Sequence, residues 1–118
     1  MYEIEYYRNR NGESEIEKLI QDLLKKNDKN SRINLKKISM YIELLKVNGL
    51  NLGKPYLKHL SGEIWELRPI RNRILFAAIK NNKFILLHTF IKDTQKTPKK
   101  EIEQANNNLK EYIERKGE

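Results

Sequence analysis

Cysteine is absent from the 118-residue chain, which excludes a disulfide framework and any metal held by thiolates. Histidine is nearly absent: His59 and His88 are the only two, too few for a histidine-rich zinc site. Long apolar runs are missing as well, none approaching the roughly 18 residues of a membrane span. The opening MYEIEYYRNRNGE holds no apolar stretch of the signal-peptide kind. A soluble cytosolic protein is expected. No internal repeat and no domain linker interrupts the chain, so residues 1–118 read as one domain, long enough to bury a core without staples.

What is present is positive charge, and it is unevenly placed. The net charge is +8 with a pI near 9.6. Residues 1–53 carry ten Lys/Arg against eight Asp/Glu, residues 54–100 eleven against three, and residues 101–118 three against five. The whole excess therefore falls on the middle segment. Such a concentration suits nucleic acid, because each neutralised phosphate releases counterions. A lysine-rich solubilising surface accounts for the net charge equally well.

The pattern along the chain gives an α+β order. YEIEYY alternates, with Tyr2, Ile4 and Tyr6 on one face and Glu3, Glu5 and Tyr7 on the other, a first strand. Ser14 followed by Glu17 is a capping box. The helix after it presents Ile16, Leu19, Ile20, Leu23 and Leu24 at helical spacing. KKNDKNS breaks that helix, and Ser31 is placed to cap a second one. This second helix turns Leu35, Ile38, Tyr41, Ile42 and Leu45 inward and stops at Asn48-Gly49. The two helices should form an antiparallel hairpin. LNLGKPYLKHLSGE is expected as a loop, followed by three strands. Thr97-Pro98 then fits the N-cap and first position of a last helix, whose stripe is Ile102, Ala105, Leu109, Tyr112 and Ile113. The expected fold is β-α-α-β-β-β-α, a mainly antiparallel four-stranded sheet covered by helices.

Strand alternation decides which charges share a face. With Asn81-Asn82 as a two-residue turn, Lys80 lies opposite Lys83, Leu75 opposite His88, and Arg73 opposite Phe90. With Pro69-Ile70-Arg71-Asn72 as the preceding turn, Arg68 lies opposite Arg73 and Glu66 opposite Leu75. One face then holds Glu66, Arg68, Arg73, His88, Phe90 and Lys92. The other holds Trp65, Leu67, Ile74, Phe76, Ile85, Leu87, Thr89 and Ile91, and is the core face. Facing arginines repel unless an anion lies between them. Glu66 supplies that counter-charge in an ordinary ion network; alternatively, the arginines pre-organise a site for a phosphodiester.

The stretch GEIWELRPIRNRILFAAIKNNKFILLHTFIKDTQKTPKKEIEQA resembles the RelE/HigB toxins of bacterial toxin–antitoxin pairs, in particular their phage-derived HigB branch. The residues that carry the resemblance are Trp65-Glu66-Leu67-Arg68, Arg73, and Leu86-Leu87-His88-Thr89-Phe90-Ile91-Lys92 continuing through Thr94, Lys96, Thr97 and Pro98. They cover about a third of the chain. The resemblance implies a RelE/ParE-like fold and the toxin of a type II system. Its activity would be that of a ribosome-dependent endoribonuclease, or mRNA interferase, cutting by cofactor-free, metal-free attack of the ribose 2′-OH on the adjacent phosphate. It also implies neutralisation by a HigA-type helix-turn-helix antitoxin, with operator DNA reached only through the antitoxin complex and no membrane partner. By position, Glu66 and Arg68 match the family's paired charged residues, Arg73 its phosphate-gripping arginine, and Lys92 the basic residue near the end of the last strand. Many members carry two basic residues there; here Lys92 is followed by Asp93.

The residue types suit that chemistry, which needs a base, cations for the phosphorane charge, and an acid for the leaving 5′-oxygen. Glu66 is the base candidate, kept ionised by the flanking arginines. Arg68 and Arg73 can hold the non-bridging oxygens bidentately. Lys92 or His88 is the acid, His88 titrating nearest neutrality, although a strand histidine is as often simply packed. Lys54, Tyr56, Lys58 and His59 in the loop before the strands suit unstacked RNA bases, as do Arg71 and Lys96; Tyr56 and Leu57 serve equally well to pin that loop to the core. Trp65 is core. Two other functions fit the same features: a ParE-like inhibitor of DNA gyrase and a non-catalytic RNA-binding module.

Overall fold

A computed structural model describes residues 1–117. The elements are β1 (Glu3–Tyr6), α1 (Glu15–Lys25), α2 (Lys29–Asn48), a 3-10 turn (Gly49–Leu52), β2 (Leu57–Ser61), β3 (Ile64–Leu67), β4 (Asn72–Ile79), β5 (Lys83–Ile91) and α3 (Lys99–Lys116). The strands form one sheet in the order β1-β5-β4-β3-β2. β1 runs parallel to β5, and the other neighbours are antiparallel. The expected element order stands, with a fifth strand added. That strand, β2, lies in the segment expected as a loop, where it pairs Leu57 with Leu67 and Lys58 with Glu66. Only its first residue is buried, so it lacks the apolar alternation that betrays a strand.

The helix ends follow local capping, with three corrections. Ser14 caps α1 by accepting from the Glu17 N–H, but the capping box is not completed, because the Glu17 carboxylate bonds Arg8 instead. The cap of α2 is Asp28 rather than Ser31; the Ser31 N–H and hydroxyl both donate to the Asp28 carboxylate. At α3 Pro98 occupies the cap position without a side-chain bond and the helix begins at Lys99, because the Thr97 hydroxyl is used elsewhere. Leu24, expected inward, is 65 % exposed. Gly49 ends α2 at φ 61 and ψ −149, a conformation that favours glycine, and a Cβ there would also meet the Tyr2 ring at 2.5 Å.

Both faces of the sheet are covered, so there are two apolar layers where one was expected. On the α1–α2 side, Ile16, Ile38 and Leu45 pack on Leu57, Leu67, Ile74, Phe76, Phe84 and Leu86. On the α3 side, Ala105, Leu109 and Tyr112 pack on Ile64, Leu75, Ala77, Ile85 and Leu87. The β3–β4 register is the expected one, Glu66 opposite Leu75. Along β4–β5, Arg73 opposite Phe90 and Leu75 opposite His88 also match expectation. The register then shifts between Leu75 and Phe76, so that Ile79 rather than Lys80 faces Lys83. This β-bulge leaves Leu87 without a ladder partner and inverts the alternation on the turn side of it. Ile85 and Leu87 consequently face α3, and Phe84 and Leu86 take their places against α1 and α2. The turn still uses Asn81 and Asn82 at positive φ, within a three-residue connection.

Candidate functional site

Helix α3 covers most of the face that carries Glu66, leaving a cleft of about 220 Å³ at the end where α3 begins. Its walls include Glu66 from β3, Arg68 just beyond it, Arg73 from β4, Lys92 after β5, Lys58 from β2 and Thr97 before α3. Four of the five candidate catalytic residues thus meet in one concavity, together with Lys58, His59 and Lys96 from the candidate RNA-binding set.

Glu66 lies at the bottom, 2 % exposed. Its Oε1 faces Arg68 Nε at 3.5 Å and Arg73 Nε at 3.9 Å. Its Oε2 accepts the Thr97 hydroxyl. Arg73 is buried too, and its Nη1 donates to the carbonyls of Ile70 (2.8 Å) and Asn72 (2.9 Å). Ile70 adopts φ 57, a conformation that a β-branched residue rarely takes. Nothing in the PIRN turn announces it, yet it delivers one of the two carbonyls that grip Arg73. Burial pulls the Arg73 pKa below its ordinary value; Glu66 opposes the shift and Arg68 reinforces it. Arg68 Nε is buried without a hydrogen-bond partner, although the Glu66 carboxylate lies within ion-pair range. Two fixed cations around a single carboxylate leave donor capacity for an anion in the cleft.

The remaining candidates are dispersed. His88 does not line the cleft. Its Nδ1 bonds Glu15 at the start of α1 and its Nε2 bonds Glu101 in the first turn of α3, each at 2.7 Å. With both ring nitrogens donating to carboxylates, the ring is an imidazolium. Burial works against that charge, but the two carboxylates outweigh it and raise the His88 pKa. Arg71 sits outside the cleft, exposed, with Nη2 on the Lys92 carbonyl at 3.2 Å, beside Ile33, Ile70 and Ile91. Lys54 is exposed in the turn before β2 and does not reach the cleft. Tyr56 packs edge-on against Tyr41, ring centroids 5.2 Å apart, while Leu57 is buried; they pin the segment to the core. Lys58 and His59, expected in a loop, stand on β2, where the His59 ring lies 4.8 Å from that of Trp65.

Thr97, a motif residue with no expected part in the chemistry, lines the cleft as well. Its place before a proline at a helix start made capping its expected use, and its partner Glu66 lies 31 positions away.

Residues 22–110 match the family described as Phage derived protein Gp49-like (DUF891). The chain belongs to that family. Gp49-like proteins are part of the RelE/ParE-like toxin superfamily, in keeping with the β-α-α-β-β-β-α order. No curated protein matches the chain significantly. The part matched to the Gp49-like family includes every residue of the cleft, and β1 lies outside it. A larger cleft of about 530 Å³ opens beside β1, but two of its cations are already engaged, Arg8 by Glu17 and Arg115 by Glu111. Among the described residues, no three His, Cys, Asp or Glu side chains converge to hold a metal ion, and no helix is long and apolar enough to cross a membrane.

Proposed function

We propose that this Gp49-like protein is the toxin of a type II toxin–antitoxin system of HigB kind, a ribosome-dependent mRNA endoribonuclease that works in the cytoplasm. The observation that carries this reading is the convergence of Glu66, Arg68, Arg73 and Lys92 in one cleft within the basic segment of the chain. Arg68 and Arg73 hold the non-bridging oxygens of the scissile phosphate and stabilise the charge that develops as the 2′-oxygen attacks. Glu66 is the terminal acceptor of the 2′-OH proton. Lys92 donates to the leaving 5′-oxygen, since both His88 nitrogens are engaged outside the cleft. Lys58 and Lys96, exposed on its rim, guide the flanking phosphates. A HigA-type antitoxin restrains the activity.

Brief induction followed by mapping of transcript 5′ ends tests the reading. New ends within codons are expected from the natural protein. With Arg73→Lys, which keeps the charge but cannot make both carbonyl bonds and still grip a phosphate bidentately, these ends should fall on the order of 10²-fold. DNA-damage signalling without new ends would indicate a gyrase inhibitor instead, and neither response would indicate an RNA-binding module.

A further inference from the structure

Glu66 is the natural base of the proposed reaction, yet although it lines the cleft it is only 2 % exposed. Oε1 is turned toward the two arginines. Oε2 is met by the hydroxyl of Thr97, a half-buried residue that itself lines the cleft. A ribose hydroxyl entering the cleft therefore reaches Thr97 before it reaches Glu66. The same hydroxyl serves as no helix cap, although its sequence position invites that use: α3 starts without any side-chain cap bond.

We infer that Thr97 is a catalytic residue of the proposed endoribonuclease, relaying the nucleophile's proton to the buried carboxylate. The 2′-OH donates to Thr97 Oγ1 as the threonine proton passes to Glu66 Oε2. The 2′-oxygen forms its bond to phosphorus and the P–O5′ bond breaks. The departing 5′-oxygen takes a proton from the Lys92 ammonium. The products are a 2′,3′-cyclic phosphate and a 5′-hydroxyl, with Glu66 protonated and Lys92 neutral until each exchanges with solvent. A hydroxyl suits the task because it donates and accepts at once. The two arginines beside Oε1 leave Oε2 as the open end of the carboxylate.

This inference rests on the endoribonuclease reading, and its test separates the two. Single-turnover cleavage of message on programmed ribosomes is measured for the natural protein, Thr97→Ser, Thr97→Val, Glu66→Gln and Thr97→Val/Glu66→Gln. Binding to the same ribosomes carrying a message with a 2′-deoxy residue at the cut site is measured alongside, as is the melting temperature. Thr97→Ser should stay within about threefold of the natural rate. Thr97→Val should lose on the order of 10²–10⁴-fold, as loss of a positioned proton acceptor does, with ribosome binding unchanged and the fold retained at the assay temperature, although losing the bond to the buried carboxylate lowers the melting temperature somewhat. The double variant should be no slower than the slower single one, since residues acting as a unit are not additive. Natural-rate cleavage by Thr97→Val overturns the relay, as does a slow Thr97→Val whose binding falls in step or which is unfolded at the assay temperature. A natural protein that leaves every message intact brings down the endoribonuclease reading and the relay together, and no set of variant rates then exists to be compared.

Discussion

His88 shows how a residue with catalytic credentials becomes structural. Its ring bonds Glu15 at one helix start and Glu101 at another, and it stacks on Phe90. Folding raises the His88 pKa above 6.5, because the two carboxylates outweigh burial. Glu15 is lowered below 4.5, because its bonds to His88 and to the Thr89 N–H likewise outweigh burial. The His88 contribution is full below about 6.5 and is lost as pH rises through the raised folded value. The Glu15 contribution is full above about 4.5 and is lost as pH falls through the lowered folded value. The bracket is therefore complete between those two limits. We expect the urea midpoint to fall as pH rises from ~6 to ~8.5. In His88→Gln that fall should flatten, and at the lower pH the variant should be less stable by about 1.5–3 kcal/mol, the usual worth of hydrogen bonds to a charged group. An equal pH dependence in both proteins would remove the imidazolium from the account.

At the scale of elements, the site depends on helix starts. α1 begins at Glu15 and α3 at Lys99, and each brings a carboxylate to His88 beside the sheet end that holds the cleft. The cap of α1 is a single contact, the Glu17 N–H to Ser14 Oγ at 3.2 Å. Ser14 is only 6 % exposed, so water cannot readily replace its oxygen. Ser14→Ala should cost about 1 kcal/mol and Ser14→Asp should recover most of it, as side-chain N-caps generally do. Chemical denaturation checks both, and equal stability of Ser14→Ala and the natural protein would mean that the Ser14 contact does not set the start of α1.

For the whole molecule, exposed apolar side chains occur both beside the basic segment, at Ile70 and Ile91, and on the helical hairpin, at Leu24. The cleft is built from the strand segment that carries the cation excess. Lys18, Gln21, Lys25 and Lys36 are exposed on α1 and α2, and Leu24 on α1 is 65 % exposed. An exposed leucine on a helix that also exposes lysines suits a protein partner better than RNA, since it offers an apolar anchor with a polar rim. On the proposed function, an antitoxin seated there would act by bulk and leave the cleft open. Lys18→Glu with Lys25→Glu should weaken the complex about tenfold or more through charge repulsion, with cleavage by the free toxin unchanged. Titration calorimetry against the co-expressed antitoxin decides it. Normal binding by this double variant, with binding lost in Arg73→Glu, would put the antitoxin over the cleft instead.

The sequence by itself determined the order of the elements other than β2, the β3–β4 register and the meeting of Glu66, Arg68, Arg73 and Lys92. Each follows from short-range rules: period-two alternation, capping residues, and turns bounded by proline and asparagine. Tertiary structure decided the rest. The run Phe84-Ile85-Leu86-Leu87 is apolar on both sides, so it carries no phase from which a bulge could be read; only helices on both faces of the sheet, and the shift they accommodate, turned Ile85 and Leu87 toward α3. β2 is a strand because Leu57 found Leu67, a pairing that its own composition does not advertise. Ser31 and Thr97 both satisfied the local rule for a cap, and both were claimed by a carboxylate, Asp28 three residues away and Glu66 in a distant strand. A hydroxyl is small and versatile, and its partner is set by which acceptor the folded chain brings to it. For Thr97 that acceptor is the carboxylate at the bottom of the cleft, which is why a residue read as a helix cap joins the site.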